Sequence, residues 1–68
     1  MGTVKSEYKR KYTYIATDMD GNKVFEGRVE FVANMIGTHP SHIRNLAVDN
    51  KSIKFQSGYV TISRRLNG

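Results

Sequence analysis

Ser41, His42, Arg44 and Asn45 are the residues of this chain whose types and spacing suit recognition of a nucleic acid. Ile43 and Leu46 stand three apart among them, so on a helix these two turn to one side while the polar residues point elsewhere. In a major groove the Arg44 guanidinium suits guanine O6 and N7 as a two-bond donor, and the Asn45 carboxamide suits adenine N6 and N7. Ser41 and His42, near the start of such a helix, would meet phosphates or base edges beside the free N–H groups of its first turn. A plainer use of the same four residues is as the solvated face of a core helix.

Other cations bracket this stretch. Lys9, Arg10 and Lys11 load the N-terminal arm, Lys51 and Lys54 follow the proposed helix, and Arg64 with Arg65 stand near the C-terminus. Each is a candidate phosphate contact, and each has a solvated basic surface as its simpler role. The chain has 11 Lys and Arg against 6 Asp and Glu, a formal charge of +5, which draws polyanions and releases their condensed counterions. Tyr8, Tyr12 and Tyr14 alternate with the basic arm and could stack on single-stranded bases, although tyrosines at period two more often pack across strands.

Other chemistries lack their residues. The chain contains no cysteine, and His39 and His42 alone do not make a metal-ligand cluster. Asp18 and Asp20 sit in an Asp-x-Asp-Gly turn too short to supply the later ligands of an ion-binding loop, so they are assigned to turn stabilisation. There is no Ser-His-Asp set and no glycine-rich phosphate loop, so no catalysis, cofactor or metal is expected. No run approaches the ~20 apolar residues of a membrane span, and the N-terminus lacks a signal-peptide core, so a cytoplasmic protein is expected.

Positioning the Ser41–Asn45 stretch requires a second helix and a scaffold. Val29, Val32, Ala33 and Ile36 form an i, i+3, i+4, i+7 stripe, which predicts a first helix over about Arg28–Ile36. Ala33 is small enough for close helix approach, Gly37 can take the positive φ of a tight turn, and Ile43 would close the pocket. Thr38 or Ser41 is the expected cap of the second helix, Pro40 is tolerated in its first turn, and Asp49-Asn50 stops it. Phe31 lies off the first helix's stripe and is expected to touch a hairpin.

Lys11–Thr17 and Lys23–Glu26 are rich in β-formers around the Asp18–Asn22 turn, which predicts a β-hairpin closed by Gly27. Ser52–Phe55 and Tyr59–Ser63 alternate around Gln56-Ser57-Gly58, which predicts a second hairpin. The expected fold is α+β in the order ββααββ, with a small antiparallel sheet, or two associated hairpins, and both helices on one side. Residues 1–10 are read as a flexible basic arm and 11–65 as one helix-turn-helix domain.

These elements carry a family resemblance. Tyr-Thr-Tyr-Ile-Ala-Thr-Asp-Met-Asp-Gly-Asn-Lys-Val-Phe-Glu-Gly from Tyr12, Val-Glu-Phe-Val-Ala-Asn-Met-Ile-Gly from Val29 and Gly-Tyr-Val-Thr-Ile from Gly58 are its residues. Together they resemble the small modular DNA-binding domains found beside phage and intron homing endonucleases, and free-standing helix-turn-helix proteins of phages and mobile elements. The resemblance implies that the second helix enters a major groove through Ser41, His42, Arg44 and Asn45. It implies a binding module without nuclease chemistry. The second hairpin, directly after that helix, also resembles the wing of winged helices.

The expected function is sequence-preferring binding of double-stranded DNA, in a phage or mobile-element regulator that pairs with itself or with a partner protein. The alternative is a small phage-encoded interaction module docking on a host or phage protein through the exposed helix and the tyrosine-rich hairpin. A third reading is single-strand binding on the strand of Tyr12 and Tyr14.

Overall fold

A computed structural model describes residues Tyr12–Asn67. The order is β1 (Tyr12–Asp18), β2 (Lys23–Gly27), α1 (Val29–Ile36), α2 (Pro40–Asp49), β3 (Ser52–Phe55) and β4 (Gly58–Leu66), the expected ββααββ arrangement. The four strands form one antiparallel sheet in the order β2-β1-β4-β3, so the two hairpins join through their β1 and β4 strands.

Alternation along the strands decides which side is covered. Tyr14 and Ala16 on β1 and Val60 and Ile62 on β4 are buried, and their registers place Ala16 opposite Ile62. The helices lie against this face, contributing Val29, Val32 and Ala33 from α1 and Ile43, Leu46 and Ala47 from α2 to the same core. α1 packs over β1 and β2, and α2 packs over β4. Phe25 from β2 and Phe55 from β3 reach in from the two sheet edges and meet edge-on, ring centres 5.4 Å apart.

The turn between the helices is set by glycine. Gly37 has φ +89°, its N–H donates to the Ala33 carbonyl at 2.8 Å, and the Thr38 N–H donates to the same oxygen at 2.9 Å. An L side chain at that φ is strained, so the left-handed stop falls where the only Cβ-free residue of the segment stands. Ala33 and Ile43 are both buried in the one core that the two helices share, and the helices pack against each other. Phe31 leaves the α1 stripe as expected: its ring centre lies 6.2 Å from that of Phe25, and a Cβ on Gly27 would come within 2.8 Å of its ring.

One local expectation is corrected. Neither Thr38 nor Ser41 caps α2; His39 is the N-cap, its Nδ1 accepting from the Ser41 N–H at 3.4 Å, with Pro40 opening the first turn. An imidazole nitrogen can serve as the acceptor that a hydroxyl would otherwise supply, and Ser41 Oγ lies a further 3.1 Å contact from it. Asn50 ends the helix in the left-handed region, φ 52°.

Candidate nucleic-acid interface

The wet side of α2 follows from its core stripe. Ile43, Leu46 and Ala47 are buried, and Ser41, His42, Arg44, Asn45, Val48 and Asp49 are exposed. Ser41, Arg44, Asn45 and Val48 stand at i, i+3, i+4 and i+7, so they form one continuous stripe along the helix. Arg44 and Asn45 therefore occupy neighbouring positions at its centre. Lys51, just past the helix, joins His42, Asn45, Leu46, Val48 and Asp49 around an open hollow beside this stripe. Five of the expected contacts are thus brought together: Ser41, His42, Arg44, Asn45 and Lys51.

The remaining cations go elsewhere. Lys54 pairs across from Tyr59 on the sheet face that carries no helix, because its neighbours Ile53 and Phe55 take the core side. Arg65 lies on that same outer face, 3.8 Å from Glu26, which also holds Lys23 at 3.3 Å. Arg64, one residue earlier, turns to the helix-bearing side and stacks its guanidinium 4.3 Å from the centre of the Tyr12 ring. Arg64 and Arg65 therefore do not act as one basic end; they flank the sheet from opposite faces. Lys9, Arg10 and Lys11, with Tyr8, lie outside the described residues.

Val48 is an exposed apolar residue on the α2 stripe that the sequence reading did not single out. The signal was available, since 41, 44, 45 and 48 repeat the spacing that identified the core stripe of α1. In a major groove, an apolar side chain at this position would suit the methyl group of thymine.

Two other expectations change on these geometries. Stacking of single-stranded bases on Tyr12 and Tyr14 does not fit: Tyr14 is 6% exposed and packs edge-on to Tyr12, whose face is taken by Arg64. The second hairpin is not a free-standing wing, because β4 is paired with β1 from Val60 to Leu66. Only its tip, past the Asp18–Val60 pair, extends beyond β1.

Asp18 Oδ1 accepts from the N–H groups of Asp20 at 3.0 Å and Asn22 at 2.8 Å, so this carboxylate is engaged in shaping the turn. Among the described residues there is no group of three or more His, Cys, Asp or Glu placed to hold a metal ion, and no helix is long and apolar enough to cross a membrane. Comparison with family models, with curated proteins and with solved structures finds no match for the chain.

Proposed function

We propose that this domain binds double-stranded DNA by laying α2 in the major groove, with Arg44 and Asn45 reading base edges. The observation that carries the reading is the exposed Ser41-Arg44-Asn45-Val48 stripe on a helix clamped from behind through Ala33, Gly37 and Ile43. A helix can read a groove only if its polar face stands clear of its own fold, and α2 buries a single stripe. Ser41 and His42 sit in the first turn, where the positive end of the helix dipole favours phosphate. Lys51 adds a phosphate contact beside Asn45. The protein would then be a small regulator in the cytoplasm of a phage-infected or element-bearing bacterium, as the resemblance of its motifs implies.

One module of this kind covers about 600 to 1,000 Å² on DNA, so strong binding at a natural site calls for two copies or a partner protein. A salt titration with duplex DNA tests the reading. Affinity falls steeply with salt, and sequences selected from a random duplex pool share a preferred site. Arg44→Ala flattens that preference, whereas Lys51→Ala weakens all sequences alike. Sequence preference that survives Arg44→Ala unchanged would show that α2 is not the reader.

A further inference from the structure

The β4 strand outruns its neighbour β3. It has nine residues against four. The ladder between them ends at Ser52 opposite Thr61, after which the Ile62 N–H still donates to the Lys51 carbonyl at 3.0 Å. Backbone groups of a strand alternate sides with period two. The Arg64 N–H and C=O and the Leu66 N–H therefore face the same side as the Ile62 N–H, and among the described residues no strand pairs with them there. On its other side β4 stays registered with β1 down to Leu66 opposite Tyr12. The segment is thus held extended with one row of peptide groups open, the geometry of a strand-addition site.

Charge decides what fits. Arg64 leaves β4 on the helix-bearing face, where its guanidinium rests over the Tyr12 ring of β1, and Arg65 leaves it on the outer face, where it leans toward Glu26 of β2, so each arginine swings back over β4 to reach a strand laid along this edge. Arg65 is free to exchange partners, because Glu26 keeps Lys23 at the shorter distance, 3.3 Å against 3.8 Å. A second copy pairing antiparallel through the same stretch would set arginine against arginine, and like charges placed directly opposite are destabilising. Leu66, 61% exposed at the end of the edge, adds an apolar contact.

We propose that the Ser63–Leu66 edge of β4 accepts an extended acidic peptide as a fifth strand, antiparallel to β4 and in line with β3. Main-chain hydrogen bonds at Arg64 and Leu66 hold the peptide, and Arg64 and Arg65 select carboxylates on its two faces. This site is separate from the α2 stripe and does not depend on DNA reading by α2.

The test uses the full chain, isotopically labelled, and a blocked seven-residue peptide, Val-Glu-Glu-Val-Glu-Glu-Val, whose glutamates fall on both faces of an extended strand, with the same peptide carrying Lys for Glu as control. At saturation with the acidic peptide, exchange of the Arg64 and Leu66 amide protons slows by about tenfold or more, while the Lys peptide has no effect. Arg64→Gln combined with Arg65→Gln weakens the acidic peptide by about tenfold, with Val60 and Ile62 protection unchanged as evidence of an intact sheet. The proposal is overturned if the two edge amides are unaffected, if both peptides act equally, or if the double variant binds as tightly as the original. It is also overturned if duplex DNA perturbs these amides as strongly as it perturbs those of Arg44 and Asn45. DNA reading is scored separately, from the Arg44 and Asn45 amides in the duplex arm.

Discussion

The two halves of the domain are built from the same parts, a hairpin and a helix, and they differ in charge. Residues 12–37 carry Asp18, Asp20, Glu26 and Glu30 against Lys23 and Arg28; residues 38–67 carry Asp49 against Arg44, Lys51, Lys54, Arg64 and Arg65. The helices differ in the same sense. α1 buries Val29, Val32 and Ala33 and also lays Phe31 on Gly27 and Phe25, so it touches the molecule on two sides. α2 buries only the stripe of Ile43, Leu46 and Ala47, and the rest of its surface faces solvent. The contrast separates a half that mainly builds the scaffold from a half that mainly presents polar groups. Substitutions should divide accordingly into those that change stability and those that change binding.

The largest expected effect falls where the halves share a core. Ile43 is fully buried against residues of both. Ile43→Ala should cost about 2 to 5 kcal/mol through lost burial and the cavity left behind. A domain of this size has net stability of only about 3 to 5 kcal/mol, so the variant should be largely unfolded at 37 °C, as followed by circular dichroism on heating. Retention of a melting transition within a few degrees of the original would show that α2 is not clamped through Ile43.

Arg44→Ala sharpens the contrast from the other direction. Arg44 is exposed, so its removal should leave stability within about 0.5 kcal/mol. Under the proposed reading it removes about 1 to 3 kcal/mol of discrimination at one base pair. A melt and a binding titration on the same variant measure both quantities.

Gly37→Ala tests the hinge between the halves. The space beside Gly37 is open, so the cost is conformational, about 1 to 2 kcal/mol for an L residue held in the left-handed region. For a domain of this length each kcal/mol shifts the melting temperature by roughly 4 to 8 °C. An unchanged melting temperature would mean that the turn relaxes to another conformation.

The hinge was readable from sequence because its signals are local: Ala33, Gly37 and Ile43 act through size and φ, and neither depends on the sheet. The wet face of α2 was readable for the same reason, since helical period alone separates Arg44 from Ile43. What the residues did not disclose depends on partners far along the chain. The β2-β1-β4-β3 order is set by pairing of Tyr12–Asp18 with Val60–Leu66, and no local pattern in either segment names the other. That pairing extends β4 past Ser63 to Leu66 and sends Arg64 and Arg65 to opposite faces. Tyr12 and Tyr14 share their parity with Ala16, so once the sheet forms they must lie on its covered side. The His39 cap was missed because imidazole is seldom the acceptor at a helix start, where hydroxyl and carboxylate side chains lead.

The two hairpin turns extend the comparison to its smallest expected effect. The first turn is encoded locally: Gly21 takes the positive φ, 89°, and Asp18 accepts two backbone N–H groups across it. The second places Gln56 at φ 56°, in a two-residue connection between Phe55 and Gly58, where hairpins favour glycine or asparagine. Left-handed geometry costs a non-glycine residue about 1 to 2 kcal/mol, and glycine returns about 0.5 to 1 kcal/mol of that through its freer unfolded state. Gln56→Gly should therefore stabilise the domain by about 0.5 to 1 kcal/mol, raising the urea midpoint without changing the slope of the transition. The gain should leave duplex binding through α2 unaltered, because the tip of this hairpin lies beyond the Asp18–Val60 pair and outside the Ser41–Val48 stripe. A lowered midpoint would mean that the Gln56 side chain makes a contact worth more than the strain it carries, and the second hairpin would then be as locally determined as the first.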